Sequence, residues 1–249
     1  LGGVATGAVS SGVGTSNMAQ ANLSAQNAVN NNWGEVGHYS TMATVLYLAG
    51  FSPKDAKAIA LAAWGSDTDL RNAITLPNVA LGKDPTAPQI KDHVLDGQKN
   101  SKETQEQKSN QLKHLLMELK RYENSPTDKI RILTNKDNQT LLHSFGDSFA
   151  HVTDNGAHYS PITGHLKQGT KPDDPHQHVD AYRNYTLTLF DVASSVTDNA
   201  RVTYYTIDRM ASLVSSQDSD KGQKDALKNT ILPIKGLDRG ALVNSPVKD

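Results

Sequence analysis

Apolar positions along this chain recur at helical spacing, and only RVTYYT (201–206) alternates as a strand would. In HYSTMATVLYLAG (38–50), His38, Met42, Val45, Leu46 and Ala49 share one side, and Gly50 stands as a C-cap glycine. SPKDAKAIALAAWGSD (52–67) opens with Ser52 as N-cap, Pro53 at N1 and Asp55 at N3. Its stripe is Ala56, Ile59, Ala60, Ala63 and Trp64. QLKHLLMELKRYE (111–123) is amphipathic through Leu112, Leu115, Leu116, Leu119 and Tyr122. A polar NKDN start (135–138) leads into a helix through HSFGDSFAH (143–151). HVDAYRNYTLTLFDVASSV (178–196) and ARVTYYTIDRMASLV (200–214) complete the helical set, and SPVKD is a frayed tail. The predicted class is all-α, a multi-helix bundle around a His/Asp metal site.

Between these helices the pattern breaks. Residues 71–109 hold Pro77, Pro85 and Pro88 and then the polar run GQKNSKETQEQKSN, which predicts a long loop approaching a helix. Residues 154–175 form a loop rich in glycine, proline and aspartate that carries His158 and His165. Residues 1–32 differ from the rest: a Gly/Ala/Ser/Val leader without sustained period, then a helix-prone stretch ending in asparagines. Two parts are therefore expected, a flexible leader over 1–32 and a helical domain over 33–249. A start on Leu1 is expected of a piece cut from a longer protein, and no signal peptide is visible.

Composition narrows the chemistry. Mean hydropathy is −0.53 and apolar content 37%, low for a compact enzyme but enough for a core. A net charge of −1 lacks the basic footprint of a nucleic-acid binder. No cysteine is present, which excludes disulfides and thiolate metal sites, so His and Asp must hold any metal. No run reaches the roughly 18 apolar residues of a membrane span.

Six of the nine histidines fall between His143 and His178. On a helix His143, Asp147 and His151 lie at i, i+4 and i+8, within about 80° of one another around the axis. Two imidazoles and a carboxylate converging from one face suit a divalent transition metal, zinc above all. Leu142, Phe145, Phe149 and Val152 form the adjacent stripe that would bury this helix. His38 sits on the apolar side of its own helix, as a ligand or as a satisfied core histidine. Helical phase carried on from Ser52 turns Asp67 inward with Ala63, Ala60 and Ala56, and turns Asp69 away with Gly65 and Ala62. An inward carboxylate needs a counter-charge, which a metal, a buried ion pair or a helix C-terminal turn supplies. His93 has no periodic frame, His165 follows a glycine, and His158 has no place in any frame. His176 and Asp180 repeat the spacing of His143 and Asp147. His178 groups with Tyr182, Tyr185 and Leu189 as a packed residue, and His114 reads as plain surface.

Two stretches resemble known families. SAQNAVNNNW (24–33) resembles the junction that precedes the variable toxic domain in bacterial contact-dependent inhibition and related polymorphic toxins, departing from it at Asn30, where that motif is acidic. The pattern from His38 to about Tyr185 resembles the helical zinc-dependent phospholipase C and single-strand nuclease superfamily. HYSTMATVLYLAGFSPKDAKAIALAAWGSDTD, HSFGDSFAH and GHLKQGTKPDD carry that likeness.

The second resemblance implies one to three zinc ions, with ligands met in order by His38, Asp67, His93, His143, Asp147, His151, His165 or His176, and Asp180. His151 follows Asp147 more closely than in the phospholipases, and no N-terminal tryptophan is present to chelate, so one or two ions fit better than three. Together the resemblances imply a secreted toxin domain, delivered into neighbouring bacterial cells and held in check by a cognate immunity protein. Its activity would be phosphodiester hydrolysis, with Asp67 as the carboxylate that touches metal and orients or deprotonates water. A phospholipid substrate suits the near-neutral charge better than nucleic acid. The alternatives are a nuclease toxin of the same fold and a non-enzymatic, metal-stabilised helical module.

Overall fold

The computed structural model describes residues 34–65, 94, 100–153, 155–159, 174–231 and 238–244. The expected leader over 1–32 lies outside them, as do Asp67, Asp69, His93 and His165. Among the described residues the fold is all-α, with one isolated antiparallel bridge, Val152 to His158. No helix among them is long and apolar enough to cross a membrane.

The chain enters through a π-helical segment, Val36–Thr41, which runs directly into α1, Met42–Leu48. The sequence predicts a single α-helix with one apolar side here. Instead every residue from Val36 to Ala49 is buried, and the first turns are wider than α. A helix covered on all sides carries no amphipathic signal, and a π turn leaves none in a hydropathy pattern. Gly50 closes the helix at φ +116°, with Thr197 Oγ1 2.8 Å from where a Cβ would stand.

In α2, Pro53–Trp64, the Ser52 side chain accepts from the Asp55 amide at 3.1 Å and Pro53 occupies the first turn, as its sequence predicts. Ala56, Ile59, Ala60, Ala63 and Trp64 are buried. The helix ends at Trp64 with Gly65 as its C-cap, and the phase argument for Asp67 falls on residues outside those described.

From Ser101 on, the polar run expected to be loop is helical. α3 spans Ser101–Arg121 and starts eleven residues before its apolar stripe. Asn100 caps it, accepting from the Glu103 amide at 3.4 Å. Polar contacts hold that first half down: Ser101 N–H donates to Gly156 O (3.2 Å) and Gln105 Nε2 to Ser148 O (2.9 Å). Three further helices escaped the hydropathy reading, the last of them α9, Arg239–Val243. α4, Pro126–Thr134, buries only Ile132, and α8, Asp220–Thr230, buries Gln223, Ala226 and Leu227. Short helices with so few inward positions give periodicity little to register.

The remaining helices are α5, Lys136–Ala150; α6, Val179–Ser194; and α7, Tyr204–Ser215, which takes up the end of the strand-like RVTYYT. α5 is central, packing against α2, α3, α4 and α6, while the π segment rests on α2, α5, α8 and α9. The core that unites them includes Tyr39, Met42, Leu46, Ile59, Leu112, Leu116, Phe145, Tyr182 and Tyr185.

Candidate metal centre

α5 begins where Asn135 accepts from the amides of Asp137 (2.9 Å) and Asn138 (3.3 Å), satisfying two of the amides that a helix N-terminus leaves unpaired. Its inner face is fixed by aromatic packing. Phe145 meets Phe149 edge-on at 5.4 Å, and both rings lie within 6.0 Å of Tyr185 on α6. On another side Lys108 Nζ of α3 donates to Ser144 Oγ at 2.8 Å. A helix gripped this way presents the side chains at its remaining positions in one orientation.

Those side chains are His143 and Asp147, fully buried and one turn apart, with His143 Nε2 3.1 Å from Asp147 Oδ2. His38 arrives from the π segment, its Nε2 3.1 Å from Asp147 Oδ1. The His38 and His143 rings stack at 4.2 Å between centroids and 26° between planes. His151, the C-cap of α5, brings Nδ1 to 3.9 Å from Asp147 Oδ2. All four side chains are completely buried. After His151 the chain turns back on itself. Thr153 N–H donates to Ala157 O (2.8 Å) and Tyr159 N–H to His151 O (3.0 Å), which buries His158 and places the Tyr159 ring 6.2 Å from that of His151.

Burial by itself would push the Asp147 carboxyl up. The imidazoles of His143 and His151, with the close approach of the His143 and His38 rings, overcome it and hold Asp147 well below the usual carboxylate range. The group is thus built around an ionised carboxylate. His38 tests whether it would suit a metal. Neither of its ring nitrogens makes an aligned hydrogen bond, although Nε2 and Asp147 Oδ1 are close. Donors about 2.1 Å from one tetrahedral ion sit roughly 3.4 Å apart, and the two 3.1 Å separations come near that value. One donor atom from each of His38, His143 and Asp147 lies within 4.8 Å of the other two, and His151 is the next donor. These residues could bind a metal ion, and their nitrogen and oxygen donors fit one.

Of the nine expected ligands, the structure gathers His38, His143, Asp147 and His151. It sets His176 and Asp180 apart from them, both exposed. His176 precedes α6, in a turn where its Nδ1 lies 2.9 Å from Ser215 O, so its four-residue spacing to Asp180 is not a helical turn. His178 is half-buried at the N-cap of α6 and His114 is exposed. Asp67, His93 and His165 lie outside the described residues. What the sequence could not supply is the burial of His158 and the π-helical setting of His38, neither of which leaves a spacing signal. No protein-family model matches this chain, and neither a curated protein nor a solved structure does.

Proposed function

We propose that this chain is a metal-dependent phosphodiester hydrolase, phospholipase C-like, acting as the toxin domain of a secreted bacterial protein. The observation that carries the reading is the buried group of His38, His143 and Asp147, with His151 beside it. His38, His143 and Asp147 would hold zinc, with His151 as the further donor. A bound ion of this kind supplies Lewis acidity toward a phosphoryl oxygen and lowers the pKa of water. Asp147 contributes the negative charge that offsets the cation. The buried face of α5 keeps the donors in one geometry, which spares reorganisation during reaction. Asp67 is the proposed general base that orients and deprotonates water.

Phospholipid is the preferred substrate over nucleic acid, because a net charge of −1 offers no extended basic path for a polyanion. The toxin assignment rests on SAQNAVNNNW, which resembles a junction in front of delivered toxic domains. Delivery into neighbouring cells and a cognate immunity protein follow from it. One observation favours a second reading: complete burial of all four side chains is how closed structural metal sites look, which suits a non-enzymatic, metal-stabilised module.

The zinc-loaded chain should release phosphocholine from phosphatidylcholine vesicles, and Asp67→Asn should lower turnover by roughly 10² to 10⁴, with binding less affected. Asp69→Asn should cost much less. Nucleotide release from single-stranded DNA, with vesicles untouched, would transfer the reading to the nuclease. Zinc that raises the melting temperature with neither product formed would leave the structural module. Expression in a bacterial cell should arrest growth, and Asp147→Asn should relieve the arrest.

A further inference from the structure

His38 lacks the support that ligating histidines usually have. Such a histidine ordinarily donates its other ring N–H to a carboxylate or carbonyl, and that second bond aims the ring. The ring nitrogens of His38 make no aligned hydrogen bond to any group. Its ring is fully buried, stacked on His143 with Nε2 3.1 Å from Asp147 Oδ1, and its direction is set by the backbone that carries it. That backbone is the π segment Val36–Thr41. π turns are rare, are not sustained by helix propensity, and frequently mark functional sites. A turn of this kind needs hydrogen bonds from elsewhere in the fold to hold it.

Three bonds tie the segment to the rest of the fold, and a fourth lies within it. Tyr185 Oη on α6 donates to Gly37 O, the carbonyl just before His38, at 3.2 Å. Thr41 Oγ1 donates to Val36 O, five residues back, at 2.7 Å. The Thr41 hydroxyl has one proton and spends it there, so in its 2.7 Å contact with Tyr182 Oη the phenol is the donor. The order is Tyr182 to Thr41 to Val36. Burial pushes both phenols above their ordinary range, which keeps them protonated donors. From the opposite side Ser40 Oγ donates to Val243 O on α9. Tyr182 and Tyr185 stand three residues apart on one face of α6, so a single helix holds both ends of the π segment around His38.

We propose that Tyr185, Tyr182 and Thr41 are positioning residues for His38, holding the π turn that aims its ring at Asp147 in place of a hydrogen bond to the ring itself. This rests on the metal-site reading above, so the test includes an arm that needs no metal.

The full-length chain is compared with Tyr185→Phe, Thr41→Val, Thr41→Ser and His38→Ala, and with Ile132→Ala, a buried truncation on α4 that lowers stability outside the segment. Zinc affinity is read by competition with a chromophoric chelator, and site geometry by the visible spectrum of the cobalt-loaded protein. Tyr185→Phe and Thr41→Val should weaken zinc by about 10- to 100-fold, the usual effect of losing an outer support. They should also change the cobalt spectrum, and Thr41→Ser should restore both. Ile132→Ala should leave both unchanged at its lower melting temperature. Without metal, amide hydrogen exchange over residues 36–41 should quicken in Thr41→Val and not in Thr41→Ser. Zinc affinity within twofold of wild type and an unaltered cobalt spectrum in both Tyr185→Phe and Thr41→Val would overturn the proposal and leave the metal site standing. A wild type that takes up no zinc would overturn the metal reading and this role together, and zinc affinity in His38→Ala equal to wild type would overturn this role alone. If Thr41→Val does not fold, Tyr185→Phe, which keeps the ring against Phe145 and Phe149, decides the matter.

Discussion

His143 and Asp147 share their four-residue spacing with His176 and Asp180, and the two pairs end in opposite places. The first is fully buried and meets His38. The second is exposed, with His176 turned to the Ser215 carbonyl. The difference lies in what surrounds the spacing. α5 runs unbroken from Lys136 to Ala150, so four residues there are one turn, and a flanking stripe of Leu142, Phe145 and Phe149 drives that turn inward. α6 begins only at Val179, so His176 lies in the preceding turn and the same count of residues spans no helical face. A ligand motif is geometry only where one element covers all of it.

The sharpest way to break this contrast is metal content. His143→Ala or Asp147→Asn should weaken zinc at least 100-fold while retaining helical content, whereas His176→Ala and Asp180→Asn should stay within twofold of wild type, by elemental analysis and competition titration. An equal loss in the second pair would place His176 and Asp180 in the site despite their exposure.

Next in size is the apolar stripe. Phe145→Ala should cost about 3–5 kcal/mol in denaturant unfolding, because a fully buried ring leaves a cavity against Phe149 and Tyr185. Val179→Ala, at the exposed start of α6, should change stability by less than about 0.5 kcal/mol.

The smallest expected effect concerns the start of α5. Asn135→Ala should cost about 1 kcal/mol and Asn135→Asp much less, since aspartate also accepts from the Asp137 and Asn138 amides. Equal losses in the two variants would show that the cap is not what fixes the start of the ligand helix.

Legibility along the chain follows the same logic. The Ser52–Pro53–Asp55 start of α2, the Asn135 start of α5 and the buried stripe of α6 were all readable, because caps and one-sided burial leave marks in residue type. The first half of α3 was not, since Lys102, Glu103 and Glu106 face water and its attachments are Ser101, Gln105 and Lys108 reaching polar atoms of distant residues. In the candidate site, the HSFGDSFAH donors were visible from spacing alone. The exclusion of His176 and Asp180 was not, because helix onset decided it.

By itself, then, the sequence determined the all-α class, the capped start of α2, the polar start of α5, and a His/Asp face on the helix ending at His151. These are local properties, set within one or two turns by propensity, capping and periodicity. Tertiary structure alone decided that His38 comes to Asp147 at 3.1 Å across more than a hundred residues of chain. It also decided that Val36–Thr41 winds as a π turn under bonds from α6 and α9, and that an ionised carboxylate sits fully buried among three imidazoles. The physical reason is that hydrogen bonds and charge pairs between distant segments exist only once packing has brought those segments together, so no local pattern records them.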